Sequence, residues 1–284
     1  MAEQPKTWFI TGAARGFGLE IARAALDRGH RVVATARHAA QIAEQLPGAG
    51  GRLLALDLDV TDEEGTRRAV REAVDAFGRI DVVVNNAGRG TLGAVEEVPD
   101  EAVRSLFAVN VFGTLNVLRA VLPVLRAQRS GHVINMSSVG GLAATPGWGL
   151  YNATKFAVEG LSESLVTELA PLGIRVTLIE PGYFRTDFLD TQSLATAEVI
   201  DDYDATAGAT RRYSAEVNHG QPGDPVKAAA AIVEITEADP PPLRLLLGTD
   251  SVDRVEAKVE RLLGDIDRFR ELSLSTDHDD VRAG

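Results

Sequence analysis

Short runs of β-branched and other apolar residues recur along this chain, separated by longer stretches in which apolar positions fall three or four apart. The runs cover residues 8–10, 31–36, 53–58, 82–84, 132–135, 176–179 and 243–247. Near-continuous apolarity is what a strand covered on both faces requires. Seven such strands alternating with helices predict an α/β fold, a doubly wound parallel sheet with helices on both faces. Glycines stand where helices should stop: Gly29 after 19–28, Gly78 after 63–77 and Gly173 after 156–172. Residues 183–222 break the pattern. They are mostly polar but carry Tyr183, Phe184, Phe188, Leu189, Tyr203 and Tyr213, which reads as a substrate lid, the alternative being a disordered insertion. After the last strand, Val252, Val255, Val259, Leu262, Ile266 and Phe269 recur at spacings of three and four. This predicts a C-terminal helix over 250–273 with one narrow apolar stripe, packed on its own domain or against another subunit.

Composition narrows the possible chemistry. A length of 284 residues suits a single domain over 1–284. No run approaches the roughly 18 consecutive apolar residues of a membrane helix, and residues 1–6 lack an export-signal core, so a cytoplasmic protein is expected. The absence of cysteine removes disulfides, thiolate metal sites and cysteine nucleophiles. With no H-E-x-x-H either, activity is expected to need no metal. A net charge of −12 argues against nucleic acid or an anionic membrane as partner, so a phosphate-bearing ligand would need a local basic pocket.

One such pocket is legible directly after the first strand. Thr11-Gly12-Ala13-Ala14-Arg15-Gly16-Phe17-Gly18 leads into a helix, and glycines there let backbone approach a pyrophosphate at the helix N-terminus. The spacing is neither G-x-G-x-x-G nor that of a P-loop. It resembles the glycine loop of the short-chain dehydrogenase/reductase family. The resemblance continues in order from about residue 7 to 250 through Asp59-Val60, Asn85-Asn86-Ala87-Gly88, Asn110, Ser138, Tyr151-Asn152-Ala153-Thr154-Lys155 and Pro181-Gly182. It implies a Rossmann-type domain that moves a hydride between a nicotinamide dinucleotide and a small-molecule carbonyl or alcohol, commonly as a homodimer or homotetramer.

The second strand ends in Ala36-Arg37. An acid in place of Ala36 would hold the ribose hydroxyls of NAD, whereas Arg37, with Arg15 of the glycine loop, offers cations to a 2′-phosphate, so NADP(H) is the expected cofactor. Asp59 resembles the residue that binds the adenine amino group, or it is simply a turn acid before Thr61. By resemblance Asn86, Ala87 and Gly88 lie under the cofactor ribose, and Pro181, Gly182, Phe184 and Thr186 belong to the segment holding the nicotinamide amide.

Reducing a carbonyl requires a proton donor at its oxygen. Tyr151 and Lys155, four apart on one helix, share a face, and an ammonium beside a phenol is expected to lower its pKa. The resemblance gives Ser138 the substrate oxygen, Tyr151 the proton, and Lys155 the tuning of Tyr151 and the nicotinamide ribose. It gives Asn110 a water relaying protons to Lys155. A serine hydrolase is disfavoured because no G-x-S-x-G occurs. A non-catalytic dinucleotide sensor on the same fold is the alternative. Leu142, Trp148, Phe188 and Leu189 are the candidate substrate contacts, and 181–187 resembles the steroid- and retinoid-dehydrogenase-like branch, which implies a bulky apolar ketone or aldehyde.

Overall fold

The computed structural model describes residues 4–190, 193–196 and 198–278. In chain order the elements are β1 (Thr7–Thr11), α1 (Gly16–Asp27), β2 (Arg31–Ala36), α2 (Ala40–Gln45), β3 (Leu53–Asp57), α3 (Glu63–Phe77), β4 (Val82–Asn85), β5 (Gly90–Leu92) and α4 (Asp100–Phe107). They continue through α5 (Thr114–Gln128), β6 (Gly131–Met136), α6 (Gly149–Leu169), β7 (Ile174–Pro181), β8 (Leu194–Thr196), α7 (Ala209–Val217), α8 (Pro225–Ile235), β9 (Arg244–Leu247) and α9 (Thr249–Leu274).

Seven strands form one parallel sheet in the order β3-β2-β1-β4-β6-β7-β9, as the apolar runs predict. Alternation along each strand feeds two cores. Trp8, Ile10, Val32, Val84, Ile134 and Ile179 face α1 and α8 on one side. Phe9, Val33, Val83, Val133 and Val176 face α3, α5 and the end of α6 on the other. The order reverses between β1 and β4, and at such a switch point the helices leave on opposite sides and open a crevice beyond the carboxyl ends of the strands. The run Asp100–Gln128 is long and apolar enough to cross a membrane by composition. Its apolarity has another use here, because Leu106, Val117, Leu118, Val121 and Leu125 are buried inside the protein.

Three features differ from the reading of the pattern. A second, two-stranded parallel sheet pairs β5 with β8; each strand has only three residues, too few to show a period. Residues 183–222 are not a structureless insertion among the described positions. They hold β8, a π-helical turn at Asp204–Gly208 and α7, while Thr191, Gln192 and Ala197 lie outside the described residues. The C-terminal helix packs on the domain only at its start, where Ser251 is fully buried; Val259, Leu262, Leu263, Ile266 and Phe269 are all exposed.

Candidate active site

The glycine loop is built by close approach. Gly12 has φ +66°, and a Cβ there would lie 2.9 Å from Ala87 Cα; one on Gly18 would lie 2.4 Å from Gly12 O. Both glycines are thus required for the first turn to pack onto the loop after β4. Thr11 and Asn86 lock the two loops together. Thr11 Oγ1 accepts from the amides of Asn86 and Ala87, each at 3.0 Å, and Asn86 Nδ2 donates to Thr11 O and Gly12 O. The resulting turn leaves the N-terminus of α1 open toward the crevice, an arrangement that fits a pyrophosphate.

A cleft of about 580 Å³ runs along the carboxyl edge of the sheet. Gly12, Arg15, Gly16, Phe17, Arg37, Asp59, Val60, Asn86, Ala87, Gly88, Tyr151, Lys155, Pro181, Gly182, Phe184 and Thr186 all line it, with Ser138, Trp148, Phe188 and Leu189. Three expected residues do not. Gly18 sits beneath the loop, as its packing explains. Leu142 follows the 3-10 turn Val139–Gly141, and that turn carries it off the cleft wall. Asn110 is buried one layer down in the π-helical segment Ala108–Gly113. Its Oδ1 accepts from Arg89 N at 2.9 Å, and its Nδ2 donates to Arg89 O and Thr154 Oγ1. These bonds tie the Asn110 side chain to the backbone of Arg89 and to Thr154, next to Lys155 on α6.

Ser138 is fixed at the end of β6, where its Oγ accepts from Gly140 N at 3.0 Å and lies in hydrogen-bonding reach of the Tyr151 hydroxyl. Lys155 Nζ donates to Met136 O at 2.8 Å and stands 5.7 Å from the Tyr151 ring centroid. Both α6 residues are buried, and burial decides their protonation. It pushes the Tyr151 phenol up to about 12, against a smaller lowering by Ser138. It pushes Lys155 down to about 8, against the raising effect of Glu159. The phenol therefore stands above its ordinary value, because desolvation of the phenolate outweighs the hydrogen bond from Ser138.

Behind Lys155 lies a group that spacing did not reveal. The carboxyls of Glu159 on α6 and Glu180 on β7 meet Arg244 of β9, with Nη2 3.1 Å from Glu159 and Nε 3.2 Å from Glu180; Glu163 closes the set at 2.6 Å. Burial raises both buried carboxyls above the ordinary carboxylate range. These residues come from three elements distant in sequence, so only the folded chain assembles them.

At the other end of the cleft, Ala36 leaves β2 without an acid, and Arg37, His38 and Gln41 form the rim. Arg15 points elsewhere. Its guanidinium donates to Ser193 Oγ at 2.8 Å, so it reaches the opposite wall instead of pairing with Arg37. Asp59 lines the cleft while accepting from Thr61 N at 2.9 Å and Thr61 Oγ1 at 2.7 Å; it serves the turn at the same time. Aromatic residues crowd the catalytic end: the Trp148 and Phe188 rings both approach Tyr151 with centroids 5.5 Å away. Sequence reasoning missed Arg89, Ser193, Gln221 and Arg254 on this wall. Each lies outside the recurring motifs, and no spacing rule marks it.

A glycine turn at the switch point, joined by one cleft to a serine and tyrosine above a buried lysine, defines a dinucleotide-dependent oxidoreductase. More particularly, the chain belongs to the short chain dehydrogenase family, whose model matches residues 6–196. It is 38% identical over 247 residues to a 3-ketodihydrosphingosine reductase of Bacteroides thetaiotaomicron, covering 86% of this chain and 88% of that one. A short-chain dehydrogenase from Streptomyces avermitilis has the same fold at a TM-score of 0.91 and 40% identity, over 97% of this chain and 100% of that one. An alcohol dehydrogenase from Thermococcus sibiricus, solved with 5-hydroxy-NADP, aligns at a TM-score of 0.69 and 26% identity, over 86% of this chain and 96% of that one.

Proposed function

We propose that this protein is an NADP(H)-dependent reductase of bulky apolar ketones or aldehydes, with Tyr151 as its proton donor. The observation that carries the reading is the meeting of the Ser138 and Tyr151 hydroxyls beside the buried ammonium of Lys155, in the cleft that begins at the glycine loop. A bound reduced nicotinamide supplies the hydride. Ser138 hydrogen-bonds the carbonyl oxygen and orients it, and Tyr151 gives its proton to that oxygen as negative charge develops there. A phenol held near 12 by burial is fully protonated at neutral pH, so the acid is loaded for reduction. Lys155 favours the phenolate as the proton leaves and would hold the nicotinamide ribose; Asn110 fixes the backbone under both.

Preference for NADP(H) rests on the missing acid at Ala36 and on Arg37 beside it, since a 2′-phosphate would meet a cation and no carboxylate at the end of β2. A bulky apolar substrate is supported by Trp148, Phe188 and Leu189 around Tyr151, by the branch-like segment 181–187 and by the name of the Bacteroides reductase.

NADPH oxidation across a panel of ketones and aldehydes, repeated with NADH, tests the proposal. Tyr151→Phe should retain NADPH binding and lose roughly 10²–10⁴-fold in turnover, the usual worth of a positioned acid. Near-normal turnover in that variant would refute the assignment. Tight NADPH binding with no carbonyl reduced would point to the sensor.

A further inference from the structure

Arg254 stands in the first turns of α9, and three contacts hold that part of the helix against the site. Ser251 Oγ donates to Glu180 O at 2.7 Å, and the Asp250 carboxylate accepts from Tyr183 N at 2.8 Å. Arg254 Nη2 donates to Ala143 O at 2.7 Å and to Thr145 Oγ1. The residue is half-buried and lines the cleft with Trp148, Tyr151, Tyr183 and Gln221. Its charge acts on the Tyr183 phenol, which in turn acts on Tyr151, so the guanidinium belongs to the catalytic end of the cleft and not to the end at Arg37.

This arginine stands at the catalytic end of the cleft without a counter-charge among the described residues. Two other half-buried arginines have carboxylates, Arg211 meeting Glu97 at 2.6 Å and Arg244 meeting Glu159, Glu163 and Glu180, while Arg89 of the same cleft is bonded to the Ser105 hydroxyl. Among the described residues no carboxylate lies within ion-pair distance of Arg254, and its Nε and Nη1 make no hydrogen bond. Of the two carboxylates lining the cleft, Asp59 is bonded to Thr61 at the far end and Asp187 does not pair with Arg254. One edge of a planar fork is therefore spent on the loop that carries Ser138, while the rest of its donors remain uncommitted. Such a fork matches a carboxylate in a way a lysine would not. A substrate lying against Trp148 and Tyr151 would strip water from this cation, and an anionic group on the substrate would offset that cost.

We infer that the preferred substrate is a bulky apolar carbonyl compound that also carries a carboxylate, bound by Arg254 at the end away from the reacting oxygen. The inference rests on the reductase reading above and deepens it. Arg254 acts as a specificity residue, and a substrate bearing an amine at that end is disfavoured.

The test compares aromatic oxo-acids of graded chain length with their methyl esters, under NADPH, in wild type, Arg254→Met and Arg254→Lys. In wild type the best acid should exceed its ester in kcat/KM by at least ~10-fold, the worth of one charge-assisted hydrogen bond. Arg254→Met should abolish that ratio, whatever it costs both substrates through the loop bonds, and Arg254→Lys should keep part of it, with NADPH affinity in all three within about 3-fold. That affinity reports that the fold survives. An acid-to-ester ratio near one in wild type, or a ratio unchanged in Arg254→Met, overturns the inference. So does an equal loss on both substrates, which would make Arg254 a brace only. Failure of every carbonyl to oxidise NADPH would instead sink the reductase reading.

Discussion

At the scale of single residues, Tyr151 and Lys155 are both pushed toward neutrality by the same burial. A protein interior solvates either charge poorly, so each group resists ionising until a ligand supplies compensation. The phenol is then a weak acid that releases its proton only while the ammonium is present, which makes the charge on Lys155 the switch. In the free enzyme kcat/KM for reduction should be level through neutral pH and fall above about pH 8, where Lys155 loses its proton. Glu159 is the one neighbour whose charge raises that value. The charged groups facing Glu159 are Arg244 on β9 and Glu180 on β7, with Glu163 of the same helix on the far side of Arg244. Glu159→Gln should therefore move the alkaline fall to lower pH, whereas a purely structural role would lower activity evenly at all pH values. A pH profile of kcat/KM for both proteins separates the two.

At the scale of elements, the seven sheet strands and the long helices were legible because each carries its own period and its own glycine stop. Gly78 ends α3, and Gly173 ends the 3-10 turn Ala170–Leu172 that follows α6, both in left-handed conformations. The site was legible where motif residues lie on one element, as Tyr151 and Lys155 do, or directly at a strand end, as Ser138 does. It was illegible where the fold brings distant segments together. Glu97, next to β5, accepts from Ala94 N and Ile200 N and pairs with Arg211 of α7, so one buried carboxylate ties residues 200–217 to the site wall. Polar composition made that segment look like a loop, yet its polarity is spent on such internal bonds. Ahead of that segment, Phe188 lies in near-parallel contact with Trp148, at 6.2 Å and 22°. Phe188→Ala should cost bulky apolar carbonyls about 1–3 kcal/mol in kcat/KM from lost apolar contact, and small carbonyls that cannot reach the ring little. The ratio of kcat/KM for a large and a small ketone in the two proteins is the measurement, and an unchanged ratio would remove Phe188 from the substrate wall.

At the scale of the whole molecule, buried ionisable groups limit stability from both sides of neutrality. Glu159 and Glu180 have raised pKa values, so their contribution is complete below the ordinary carboxyl value of 4.5 and declines as pH rises through their folded values. His132 acts in the opposite direction. It lies inside β6 with Nε2 2.9 Å from Thr177 Oγ1, and burial, with Arg175 and Lys6 adding like charge, holds it down to about 4 from an ordinary 6.5. Below pH 6.5 the unfolded chain takes up a proton that the folded chain refuses, so stability is full above 6.5 and drains away until pH 4. One proton of difference corresponds to roughly 1.4 kcal/mol per pH unit at most. His132→Gln keeps a polar group for Thr177 and cannot titrate. Whatever it costs at pH 7, the stability difference between wild type and variant should shift in favour of the variant by up to roughly 3 kcal/mol between pH 6.5 and 4. Denaturant unfolding at pH 7, 5.5 and 4.5 measures it. A constant difference across those three values would show that acid sensitivity arises elsewhere, first at Glu97, whose pairing with Arg211 holds it near 2 and whose contribution is lost only as pH falls from about 4.5 toward that value.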